Sequence, residues 1–87
     1  MQDNVLEQLI ERLSVLSPEK EREIVAMDLN DIYESSQSFE KLLENMMNSQ
    51  QNKDDLIDML IEVEVELNHI NWHYKSLKKK LKVLMKE

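Results

Sequence analysis

Glu62, Glu66, His69 and His73 are spaced by four, three and four residues, which sets two carboxylates and two imidazoles on one stripe of any helix that carries them. Glu66-x-x-His69 has the separation found in di-iron carboxylate helices, and His69-x-x-x-His73 spans one turn, as a zinc-chelating pair does. A metal centre of this kind needs further carboxylates from a facing helix or subunit, and Glu34 and Asp31 are the residues within reach. The same stripe has a plainer role as a polar flank beside a helix seam, with Glu66 accepting a hydrogen bond from a neighbouring imidazole. Because 33% of the chain is charged, acidic stripes also arise on solvated faces without any ligand.

The element that carries the stripe is legible from its apolar residues. Leu56, Leu60, Val63, Leu67, Ile70, Tyr74, Leu77, Leu81 and Leu84 are separated by alternating steps of four and three, the 3.5-residue period of a coiled-coil seam. Upstream, Val25, Leu29, Ile32, Ser36, Phe39, Leu43 and Met46 repeat with the same period. Between them Asn48-Ser49-Gln50-Gln51-Asn52-Lys53 forms a run of small and amide residues, and Asn52 followed by Asp55 makes a capping-box-like helix start. An antiparallel hairpin follows, in which facing residues have numbers summing to about 102 or 103, so that Phe39 meets Val63 and Val25 meets Leu77. The same register lays Lys78, Lys80 and Lys82 beside Glu19, Glu21 and Glu23. Ile61 to Leu67 alternates like a strand, but the 3.5-residue period runs through it unbroken and no second strand exists to pair with it.

A shorter helix precedes the hairpin. Leu6, Leu9, Leu13 and Leu16 share a face, with Asp3 or Asn4 as cap, and the register stops at Ser17-Pro18-Glu19, read as a Ser cap followed by Pro at the first helical position. The fold class is therefore all-α, a short N-terminal helix followed by a long antiparallel helical hairpin, in one domain over residues 1–87. The helices are expected at about 3–16, 18–48 and 53–86.

Composition narrows the function. The chain has no Gly, no Cys and one Pro in 87 residues, which removes Gly-rich phosphate loops, thiolate nucleophiles and Cys-based metal sites. No set of acid, base and oxyanion donor is apparent, so the expectation is a non-enzymatic protein without a cofactor. No run is long and uncharged enough to span a membrane, and a cytoplasmic location is expected. Residues 1–74 hold 17 of the 18 acidic and 5 of the 11 basic residues, whereas residues 75–86 hold six lysines and no acid. Such an acidic body repels nucleic acid and anionic lipid, so neither is an expected partner.

A chain this short buries a limited core, which favours self-association or a protein partner. Leu42, Met47, Ile57, Ile61, Val65 and Trp72 fall off the expected seams and form the expected partner-binding set, with Trp72 the only tryptophan. The expected function is a small acidic interaction module that forms a homodimer, binds a partner protein, or both. One alternative is an acidic inhibitor whose carboxylates stand in for phosphates in a nucleic-acid-binding groove; another is a metal-binding bundle using Glu62, Glu66, His69 and His73. In layout alone, the short helix and long hairpin resemble small secretion co-chaperones and compact phage-encoded inhibitors.

Overall fold

The computed structural model describes residues 5–86. Three helices follow one another: α1 (Val5–Arg12), continued by a 3₁₀ turn at Leu13–Val15, α2 (Glu19–Asn48) and α3 (Lys53–Met85). The Ile61–Leu67 segment lies inside α3 and is helical. α1 is shorter than its apolar repeat implied because its last turn tightens to 3₁₀, with Leu16 N–H donating to the Leu13 carbonyl at 2.9 Å. The expected caps Asp3 and Asn4 lie outside the described residues.

At the first corner the expected cap is corrected by one residue. Pro18, with extended backbone, is itself the N-cap of α2, and no side chain caps that end. Instead the Arg22 guanidinium reaches back to donate to the Leu16 carbonyl at 2.9 Å, tying the linker to the new helix. At the second corner Asn52 caps α3 as expected, its Oδ1 accepting from the Asp55 N–H at 2.8 Å.

α2 and α3 pack along their length as an antiparallel hairpin. Its register follows from the side-chain bonds that cross it: Asp28 with His73 and with Ser76, and Ser35 with His69. These pairs sum to 101 and 104, bracketing the value expected from the apolar periods. The expected lysine–glutamate pairing at the open end does not form: among the described residues the ion pairs within 4 Å are those of His73 with Asp28 and Asp31. Lys78 lies over the Tyr74 ring instead, 5.6 Å from its centroid.

The core sits at the open end of the hairpin. Val25, Leu77 and Leu84 are its buried centre, and Leu13, Leu16, Leu29, Ile32 and Leu81 pack around them. α1 with its 3₁₀ turn therefore folds back within its own chain and adds a third layer there. Ala26 beneath it is fully buried. Between residues 36 and 72 no described residue is buried. At 1.5 Å per residue α1 and its turn span roughly 17 Å, less than half of the ~45 Å of α2, so the loop half of the hairpin consists of two helices alone. No helix among the described residues is long and apolar enough to cross a membrane.

Candidate functional site

Both long helices are rotated from the expected seam by the same amount. One row on each helix stays where the apolar period puts it, Val25, Ile32, Phe39 and Met46 facing Val63, Ile70, Leu77 and Leu84, all buried or half-buried. The second row is replaced. On α2, Asp28, Ser35 and Leu42 turn inward in place of Leu29, Ser36 and Leu43; on α3, Met59, Glu66 and His73 replace Leu60, Leu67 and Tyr74. Leu42, expected on an outer surface, thus belongs to the seam.

The rotation divides the hairpin into a polar side and an apolar side. In an antiparallel pair, equivalent rows of the two helices flank the seam on the same side. Asp31, Ser38, Asn45, Glu62, His69 and Ser76 flank one side. Leu29, Ser36, Leu43, Leu60, Leu67, Tyr74 and Leu81 flank the other. α1 lies on this second side, where its turn touches the cluster containing Leu29 and Leu81. Past the end of α1 nothing covers it: Leu60 and Leu67 are 50% and 49% exposed, and Leu43, Met47, Leu56 and Ile57 are exposed beside them, while Tyr74, level with Leu29, is exposed as well. At one end of this face α1 packs against α2, and the rest of the face is bare.

Of the expected partner-binding residues, Met47 and Ile57 lie on the bare apolar face and Ile61 at its outer edge. Val65 lies across the helix in a groove on the polar side lined by Ser38, Lys41, Leu42, Asn45, Glu62 and Glu66. Trp72, 68% exposed and met by neither α1 nor α2, follows one heptad on, its ring edge-on to His73 at 4.8 Å. Leu43, Leu60, Leu67 and Tyr74 were hidden from sequence reasoning because they fit an apolar period that was assigned to the hairpin itself.

The polar side contains a buried network. Asp28, Ser35 and His73 are 5%, 4% and 7% exposed. A carboxylate only accepts, so the His73 Nδ1–H donates to Asp28 Oδ1 at 2.9 Å, and the Ser76 hydroxyl donates to Asp28 Oδ2 at 2.7 Å. His73 Nε2 faces His69 Nε2 at 3.1 Å, and His69 Nδ1 faces Ser35 Oγ at 2.7 Å. With both imidazoles neutral, these three contacts run in one direction: Ser35 donates to His69, His69 to His73, and His73 to Asp28. Asp31 Oδ2 lies 3.3 Å from His73 Nε2.

The stripe of Glu62, Glu66, His69 and His73 therefore does bring its two imidazoles together, with Asp31 from the facing helix nearby. They bond to Asp28 and Ser35 rather than to Glu62 or Glu66, so the expected glutamate acceptor is replaced by groups on α2. Among the described residues no group of three or more His, Asp or Glu side chains is arranged to hold a metal ion. Ser35, though bonded to an imidazole, is enclosed between two helices and offers a substrate no approach. The geometry of this network is that of a pairing device between α2 and α3. No family model, curated protein or solved structure matches the chain.

Proposed function

We propose that the protein is a non-enzymatic interaction module that docks an amphipathic helix on the bare half of its apolar face, end to end with α1. The observation that carries this reading is the exposure of Leu60 and Leu67. Full burial of one such side chain is worth roughly 1.5–3 kcal/mol. A hairpin of this sequence leaves that energy unused while it buries Asp28, Ser35 and His73, whose gain is confined to satisfying one another. An incoming helix recovers it. The groove between two helix flanks is the geometry used for helix-in-groove recognition, and Met46, Met47 and Met59 around it can adapt to different side chains.

The test is a titration with a designed three-heptad peptide that has leucine along one seam and glutamine on its flanks, comparing the wild-type chain with Leu60→Gln/Leu67→Gln. The double variant should lose at least about tenfold in affinity while its far-UV helicity is unchanged, since both residues are half-exposed. Equal binding to the two proteins would sink the reading. An acidic inhibitor acting only through its carboxylates makes the opposite prediction, because the variant leaves every charge in place.

A further inference from the structure

The α3 rim of this face changes sign along its length, while the α2 rim is acidic at both ends. At the end where α1 packs on α2, the outer rim on α3 holds Lys75, Lys78 and Lys82, and α1 itself carries Glu7, Glu11 and Arg12. Where the face is bare, the rim holds Glu40 and Glu44 on α2 and Asp54 and Glu64 on α3, all exposed, with Lys41 and Lys53 as the bases beside them. We infer that the occupant of the bare half is an amphipathic helix of another protein with lysine or arginine on both flanks of its apolar stripe. This rests on the helix-docking function proposed above and adds the partner's charge.

The chain's own segments do not meet that description. A second copy of α1 brings Glu7 and Glu11 to an acidic rim, and a second hairpin docked loop half to loop half sets Glu40, Glu44, Asp54 and Glu64 against themselves. The one lysine-rich stretch, at the end of α3, is already committed: Leu77 and Leu84 are buried in its own hairpin and Leu81 packs against the same cluster. It has no free apolar stripe to offer. Like charges facing one another across an interface select against these pairings, while basic flanks complete the rim.

The experiment compares two designed three-heptad peptides with identical leucine seams, one with lysine flanks and one with glutamate flanks, by fluorescence anisotropy at about 20 mM and about 300 mM salt. At low salt the lysine-flanked peptide should bind roughly tenfold or more tighter. The gap should close at high salt, and Glu40→Gln/Glu64→Gln, two exposed changes, should narrow it. Binding of the lysine-flanked peptide must also fall with Leu60→Gln/Leu67→Gln, which preserves net charge and so separates groove docking from diffuse attraction to an acidic protein. Equal affinity for both peptides would overturn the charge inference and leave helix docking intact. Failure of both peptides and of the glutamine-flanked one would remove the docking function itself. A two-chain mass at low salt that Leu60→Gln/Leu67→Gln reduces to one chain would make a second copy the occupant and overturn the inference.

Discussion

Asp28 is the residue on which the polar layer depends, because it is the acceptor that both His73 and Ser76 donate to. Truncating it to alanine leaves an imidazole N–H and a hydroxyl inside a two-helix interface with nothing to accept them. A buried group stripped of its partner costs about 1–3 kcal/mol, and more where the pair was charged. Asp28→Ala is therefore expected to lower stability by about 3 kcal/mol, which in a chain of this size moves Tm by more than about 10 °C. Asp31→Ala is the control: its side chain is 39% exposed, water replaces it, and the expected loss is under about 1 kcal/mol. Thermal or urea unfolding of the two variants decides the matter, and equal losses would show that Asp28 is not the anchor. The layer also explains why apolar counting misplaces the seam. Leu29, Leu67 and Tyr74 outrank Asp28, Glu66 and His73 in hydrophobicity, while Ser35 and Ser36, or Leu42 and Leu43, do not tell the two seams apart. No single-residue scale reports that Asp28, Ser35, His69, His73 and Ser76 satisfy one another across the hairpin once the register is set.

At the scale of the helices, much was legible from periodicity and punctuation. The two breaks at Ser17-Pro18 and Asn48–Asn52, the lengths of α2 and α3, the antiparallel register and the Asn52 cap all follow from local rules that tertiary contacts do not override. Rotation about each helix axis is a different quantity. A 3.5-residue apolar stripe with three apolar rows supports two neighbouring seams, and the choice between them depends on what lies across the interface and on where α1 lands. That landing also sets unequal stability along the hairpin. The open end has a third layer over Val25, Ala26, Leu77 and Leu84, whereas residues 36 to 72 include no buried residue. Amide hydrogens in 40–46 and 57–66 should accordingly exchange through small openings, faster than those in 25–35 and 73–84, which need the core to separate. Hydrogen exchange read by mass spectrometry tests this directly. Uniform protection along both arms would mean that α1 contributes no extra layer, and saturation with the lysine-flanked peptide should slow the loop half selectively.

The whole molecule is 52 × 28 × 14 Å, with its charge segregated along the long axis and its bare apolar surface at the acidic end. Two forces of opposite sign act on any meeting of two copies there. Apolar burial favours it, and the acidic rims oppose it with a strength that depends on ionic strength, since the Debye length is about 30 Å at 0.01 M and about 3 Å at 1 M. Association of the chain with itself should then rise with added salt, from a one-chain mass at about 20 mM towards a two-chain mass near 1 M, and Leu60→Gln/Leu67→Gln should abolish the rise. Docking of a basic-flanked helix responds in the reverse sense, weakening as salt screens the attraction between its flanks and the rim. Light scattering across a salt series, run beside the anisotropy titration, therefore yields two curves that cross. Parallel curves would mean that the apolar face and the acidic rim do not act at one surface. A mass that instead falls with salt would point to contacts between the acidic end of one chain and the lysine-rich end of the next, with the bare face playing no part.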